Sequence, residues 1–219
     1  MRTLALLARK GGTGKTTLAV HLAVVAGQAG RRVLLVDTDP QRSAGDWWRA
    51  RQSDTPELVE CPARQVPDVL AAAQDDGIDL VVVDTRPSVE ADTAEIARLA
   101  DLVLIPTRPL IVDLRTIAAT TDVLKAVRLP PKRALIVLNQ VRASPGFGEN
   151  SLTTEARREL AIYGFPIAPT AIGYRAALAD ALIDGRAVTE FDPRGKGAEE
   201  IRKLFKTTED YLWPEPVHG

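Results

Sequence analysis

Residues 3–17 read T-L-A-L-L-A-R-K-G-G-T-G-K-T-T, and the organisation of the whole chain follows from how that stretch divides. Thr3–Leu7 is a short aliphatic run, apolar at consecutive positions, as in a strand covered on both faces. Lys10–Thr17 is glycine-rich, and the segment Thr16–Gln28 is predicted to be a helix. A strand, a glycine turn and a helix in that order make a cradle for anions. Gly11, Gly12 and Gly14 let backbone N–H groups converge without Cβ clashes, and the helix start adds its positive end. Lys15 is placed to reach β- and γ-phosphates, and the Thr16 hydroxyl to ligate Mg2+. Two related patterns fit less well. The common phosphate loop G-x-x-x-x-G-K-[ST] needs glycine at position 9, where Arg9 stands. The dinucleotide pattern G-x-G-x-x-G puts Thr17 at its third small position and leaves Lys15-Thr16 idle, although Asp37 stands where a ribose-binding acid would.

Outward from that stretch, further aliphatic runs recur at Val33–Val36, Leu80–Val83, Leu102–Ile105 and Ala134–Leu138, with a weaker one at Phe165–Ala168. Helical candidates lie between and after them at Val66–Gln74, Thr93–Leu99, Leu114–Val127 and Thr153–Tyr163. This alternation predicts an α/β fold: a doubly wound, mostly parallel sheet with helices on both faces. A last helix near Gly197–Leu212 carries Ile201, Leu204, Phe205 and Leu212, the spacing of a closing helix packed on the domain. Its acids at 199, 200, 209 and 210 disfavour a membrane-surface role. Pro130-Pro131 and Ser144–Asn150 are the strongest loop signals.

The 219 residues suit one large α/β domain, 1–219, with no separate N-terminal DNA-binding domain expected. No run approaches the roughly 18 apolar residues of a membrane span. The single cysteine, Cys61, excludes an internal disulfide and a multi-thiolate metal site, and makes the reducing cytoplasm the expected location. The net charge of −1 hides an uneven distribution. Residues 1–124 carry 14 Lys/Arg against 17 Asp/Glu, and residues 125–206 carry 14 against 9. A locally positive C-terminal half suits a DNA-facing surface, with scattered solvated arginines as the alternative.

The stretch Lys10–Thr17, K-G-G-T-G-K-T-T, resembles the deviant Walker A motif of the ParA/MinD superfamily, with its additional lysine at Lys10. Val33–Gln41 (V-L-L-V-D-T-D-P-Q) is similar to that family's second motif, and Leu80–Asp84 (L-V-V-V-D) to its Walker B strand. Leu102–Leu114 and Leu135–Val141 resemble later segments of ParA proteins, so the likeness runs in order along nearly the whole chain.

The resemblance implies a P-loop ATPase that takes ATP and Mg2+ and forms a homodimer sandwiching ATP. Lys10 then crosses the dimer interface to the partner's phosphates. Asp39 positions or activates the attacking water, Asp37 lies beside the metal, and Asp84 holds Mg2+ through water. Asn139 contacts adenine. Carboxylates at the C-terminal ends of parallel strands suit these roles, because ligands of doubly wound sheets bind there. Strand-end capping is the ordinary alternative for each acid.

Within the superfamily, the lone Cys61 argues against the nitrogenase iron protein, and the chain length against tandem arsenite-pump ATPases. Tyr163, Tyr174 and Tyr211 are not the terminal cluster of a bacterial tyrosine kinase. The acidic end Trp213–Gly219 is unlike the membrane helix of MinD, so no membrane partner is expected. What remains resembles short ParA proteins, which bind double-stranded DNA nonspecifically and partition plasmid, chromosome or protein cargo. They work with a centromere-binding or adaptor protein and associate with the nucleoid when ATP-bound. Arg175, Arg186, Arg194, Lys196, Arg202, Lys203 and Lys206 are the DNA-binding candidates. Two features depart from the family pattern, Ala8-Arg9 and Arg86 after Asp84-Thr85, and Trp47-Trp48 follow the second motif. D-T-R and a tryptophan after the second motif resemble ParA-like proteins of conjugative DNA transfer. A weakly hydrolysing scaffold that recruits a DNA-transfer complex is therefore the alternative. An amidoligase-like enzyme would need a carboxylate pocket for which no residues stand out.

Overall fold

The structure, a computed structural model, describes residues 1–87, 90–142 and 149–215. Residues 144–148 of the expected Ser144–Asn150 loop and the final four residues of the acidic end lie outside the described residues. The strands are β1 (Arg2–Leu6), β2 (Val33–Asp37), β3 (Glu57–Glu60), β4 (Leu80–Asp84), β5 (Leu102–Thr107) and β6 (Ala134–Leu138). They form one parallel sheet in the order β3-β2-β4-β1-β5-β6. The helices are α1 (Lys15–Gln28), α2 (Ser43–Ala50), α3 (Val66–Asp75), α4 (Glu90–Leu99) and α5 (Ile111–Ala126). They continue as α6 (Ser151–Ala161), α7 (Ala176–Ile183), α8 (Val188–Phe191) and α9 (Lys196–Leu212).

Alternate side chains of each strand serve two separate cores. Leu4 and Leu6, with Leu35, Val82 and Leu104, pack against α1, α2, α7, α8 and α9. Ala5 and Leu7, with Val36, Val83 and Ile105, pack against α3, α4, α5 and α6. Both faces of the sheet are therefore covered, which is why its strands read as continuous apolar runs rather than alternating ones. Ile201, Leu204, Phe205 and Leu212 are buried, so α9 closes the first core as its spacing predicts.

Several elements depart from the sequence reading, the unpredicted helix α2 among them. The short strand β3 has half-buried Leu58 and Val59 between exposed glutamates, an edge-strand pattern that carries little apolar signal. Phe165–Ala168 contributes one bridge, Ile167 to Ile136, because Pro166 and Pro169 flank it and proline offers no N–H to a ladder. The α7–α8 pair lies where no helix was predicted. It is fastened to α2 by the Trp47 Nε1–H donating to the Arg186 carbonyl at 3.1 Å and by the Arg51–Glu190 ion pair at 2.7 Å. Trp47 belongs to the core, while Trp48 is partly buried and donates to the Pro56 carbonyl at 2.8 Å.

His21 of α1 ties the same pair to the phosphate-loop helix. Its Nε2 bonds the Leu178 carbonyl at 3.1 Å, and its Nδ1 accepts from the Val188 N–H at 3.2 Å. These partners need the neutral ring with the proton on Nε2. Burial lowers its pKa to about 4, against smaller opposing effects of the Leu178 carbonyl and Glu190. An unfolded histidine takes up its proton near pH 6.5, so His21's contribution is complete above 6.5 and is lost as the pH falls toward 4. The loss is ~3 kcal/mol. Urea unfolding at pH 7 and pH 4.5 is expected to show it, and His21→Gln to flatten that part of the profile. An unchanged pH slope in the variant would remove His21 from the account.

Candidate nucleotide site

The site is built at the C-terminal edge of the sheet, where the loops after β1, β2, β4 and β6 meet. The phosphate loop links β1 to α1, and Gly14 stands at the helix start with φ 93°. Only glycine suits that position: its backbone is left-handed, and a Cβ there would lie 2.2 Å from Asn139 Nδ2. Asn139, at the end of β6, donates to the Thr13 carbonyl at 2.7 Å and accepts from the Gln140 N–H at 2.9 Å. Gln140 donates to the Gly12 carbonyl at 3.0 Å. Together they hold the loop closed from the β6 side. Asn139 thus lies on the loop, and contact with a base would require its amide to turn. Beside it opens a cleft of about 320 Å3 lined by Arg108, Leu110, Gln140, Arg142, Leu152 and Tyr174, among others.

Lys15 is buried, and its Nζ donates to the Ala8 carbonyl at 3.2 Å. Burial pulls its pKa down, while the nearby Asp84 and Asp39 charges oppose that shift. Asp84 is fully buried, and neither carboxylate oxygen has a hydrogen-bond partner. Burial pushes its pKa up to about 7. The Thr16 hydroxyl and Lys15 pull the other way, while Asp37 and Asp39 add to the rise. Thr16 acts there by proximity, without a hydrogen bond of ordinary geometry. An orphaned buried carboxylate beside a hydroxyl and a lysine is costly in the empty protein and suits a hard cation with oxygen ligands. No group of three or more His, Cys, Asp or Glu among the described residues is arranged to hold a metal alone.

Asp37 pairs with Asp84 in the sheet register. Its carboxylate accepts from the Asp39, Ala44 and Gly45 N–H groups at 3.0–3.1 Å. It therefore fastens the acidic loop to the start of α2. Burial raises its pKa, and these three N–H groups oppose the rise. Asp39 is half-buried, with one oxygen accepting from the Gln41 N–H at 2.9 Å. Thr38 bonds the Asp84 carbonyl through both its N–H and its hydroxyl, locking the two acid-bearing loops together.

Lys10 is turned onto Asp113 in the first turn of α5, and Arg108 holds the other oxygen of the same carboxylate. Burial alone would raise the Asp113 pKa, but the hydrogen bonds from Arg108 and Lys10 outweigh it and hold it low. Asp113 and Arg108 gave no signal in the sequence, because a helix-start aspartate and a nearby loop arginine are ordinary. Asp113 thus has two cation partners, and the loss of one would not leave its buried charge uncompensated. Next to this pair, Leu110, Ile111 and Val112 are 47%, 69% and 65% exposed, three consecutive apolar side chains open to solvent.

The DNA-binding candidates lie together only in part, on α7–α9 and their connections. Arg175 pairs with Glu200, Arg186 with Asp184, Lys203 with Glu199, and Lys206 with Glu209 and Asp210. Arg202 donates to the Pro193 carbonyl at 2.9 Å. Arg194 and Lys196 make no ion pair among the described residues, and they flank the start of α9.

Residues 4–188 match the family model described as the CobQ/CobB/MinD/ParA nucleotide binding domain. A maintenance of carboxysome distribution protein A from Gloeobacter kilaueensis is 36% identical over 223 residues, covering 96% of this chain and 94% of that protein. Its namesake from Halothiobacillus neapolitanus is 31% identical over 211 residues, with coverage of 93% and 94%. Among solved structures, the cell division ATPase MinD of Pyrococcus furiosus superposes with a TM-score of 0.75 at 22% identity, covering 95% of this chain and 98% of that one.

Proposed function

The chain belongs to the CobQ/CobB/MinD/ParA nucleotide-binding family, and on that premise we propose that it is a ParA-type ATPase that dimerises around ATP to position a cargo. The observation that carries this reading is Asp84, buried without a partner beside Lys15 and Thr16. Lys15 binds the β- and γ-phosphates, and Thr16, with Asp84 through water, holds magnesium. When bound, magnesium neutralises charge on the transferred phosphoryl group. Asp39 orients the attacking water, while Asp37 fixes the loop that carries it. Asn139 and the neighbouring cleft receive the base. Lys10 leaves Asp113 to reach the partner's phosphates, and the exposed turn Leu110–Val112 is the apolar surface nearest to that crossing. Hydrolysis is slow until an adaptor protein stimulates it.

Relatives named for carboxysome distribution make a protein cargo the preferred one, with plasmid or chromosome as the other. Nonspecific DNA is the proposed track. Arg194 and Lys196 are its first contacts; Arg186, Lys203 and Lys206 join by exchanging exposed carboxylate partners for phosphates, since such ion pairs contribute only ~0–1 kcal/mol each. Arg202 leaves the Pro193 carbonyl, and Arg175 gives up a part-buried bidentate pair with Glu200. Sedimentation with ATP, ADP or no nucleotide tests the switch: wild type should be dimeric with ATP alone, and Lys10→Ala monomeric throughout. The same samples in fluorescence anisotropy with unrelated duplexes should bind only with ATP. If about four to six phosphates are neutralised, log K should fall against log salt with a slope of about −4 to −5. Dimers without nucleotide, or equal DNA binding with ADP, would overturn the ATP-gated reading. ATP-dependent dimers that ignore DNA would favour the scaffold whose partners are proteins, consistent with how many of its candidate cations are already paired.

A further inference from the structure

Arg86, in the loop after β4, is a cation that the site described so far leaves without a task. We propose that Arg86 is a ligand of the ATP γ-phosphate, drawn off Asp92 when the triphosphate arrives; this rests on the ATP-binding reading above. The segment that carries it runs along the phosphate loop. On one side Asp84 faces Lys15 and Thr16. Thr85 pins the segment to the end of β1, its hydroxyl donating to the Leu6 carbonyl at 2.6 Å. On the other side Pro87 lies beside Gly11, its ring 3.7 Å from where a Cβ on that glycine would stand. Arg86 therefore springs from a backbone fixed to the end of β1 through Thr85 and lying beside the first glycine of the cradle through Pro87.

Its present partner holds it lightly. Arg86 Nη2 donates to Asp92 Oδ2 at 2.6 Å, with side-chain exposures of 42% and 30%. An exposed pair of this kind shifts an equilibrium by less than about fivefold. A charge-assisted guanidinium contact to phosphate is worth roughly 10- to 100-fold, so the exchange runs toward the nucleotide. The charge balance points the same way. In one chain Lys10 is engaged by Asp113, leaving Lys15 to face a triphosphate among Asp37, Asp39 and Asp84. Arg86 supplies a second cation in cis, and only where a γ-phosphate is present to reach.

Calorimetry with Mg·ATPγS and Mg·ADP on wild type, Arg86→Ala, Arg86→Lys and Asp92→Asn tests this without relying on turnover. Arg86→Ala should lose roughly 10-fold or more in ATPγS affinity and keep ADP affinity within about twofold. Arg86→Lys, which can keep the Asp92 pair but loses the planar fork, should fall between. Asp92→Asn should tighten ATPγS by up to about fivefold and leave ADP unchanged. A purely structural pair would instead make Arg86→Ala and Asp92→Asn behave alike. That result, equal losses for both nucleotides, or an ATPγS affinity untouched by Arg86→Ala would overturn the proposal. Lys15→Ala, expected to weaken both nucleotides, marks a working site. Wild type binding neither would overturn the ATP reading itself, and this proposal with it.

Discussion

Asp84→Asn is expected to stabilise the nucleotide-free protein at pH 8 by up to about 4 kcal/mol. The folded carboxyl keeps its proton to about pH 7, whereas the unfolded one releases it near 3.8. Its favourable state is therefore complete below 3.8 and is lost as the pH rises through 7, where wild type carries a buried, unpartnered charge. Asparagine pays a similar cost for burying a polar group but has no charge to pay for. Lys15 loses an attractive neighbour in the variant, which trims the gain. Denaturant unfolding at pH 5 and pH 8 measures the effect: the gap between the two proteins should be ~1.5 kcal/mol at pH 5, grow with pH and level off above 7. A variant no more stable than wild type at pH 8 would contradict the electrostatic assignment. The same variant should lose the magnesium-dependent part of ATP binding, so stability is gained where function is given up.

Lys15→Ala should weaken Mg·ATP binding by roughly 10- to 100-fold or more, since a charge-assisted phosphate contact is worth about 1.5–3 kcal/mol and lysine serves two phosphates. The substitution also removes a cation that lowers the Asp84 pKa, so the empty protein should become less stable above pH 7. Combining it with Asp84→Asn separates the two consequences. The double variant should recover stability and still fail to bind. Calorimetry showing unchanged ATP affinity in Lys15→Ala would count decisively against the site.

The fold was legible because each central strand is covered on both faces, and double burial writes itself into sequence as aliphatic runs. Edge positions erased that signal. β3 keeps glutamates at both ends, and the region after Phe165 is broken by prolines. α2 and the α7–α8 pair were missed for another reason: their stability comes from tertiary bonds such as Trp47 to Arg186 and His21 to Leu178 and Val188, not from periodicity. At the site, Asp37 and Asp84 stand at the ends of strands that the aliphatic runs predict, and the family resemblance drew attention to them together with Asp39 and the phosphate loop. What spacing could not convey is where each group's hydrogen bonds go. Asp37 is spent on backbone N–H groups, Asn139 on the loop, and Lys10 on Asp113, a residue that sequence reasoning never singled out.

The strand order has a consequence for biosynthesis. β1 lies between β4 and β5, yet it precedes both along the chain, and β5 ends at Thr107. At about 5–20 residues per second, translation needs roughly 5–20 seconds to deliver both neighbours after β1 has been made. For that interval the most apolar part of the phosphate-loop unit has no sheet to join, and the glycines beyond it have no helix packing to hold them. The nucleotide cradle thus takes shape only once the chain through Thr107 has been made.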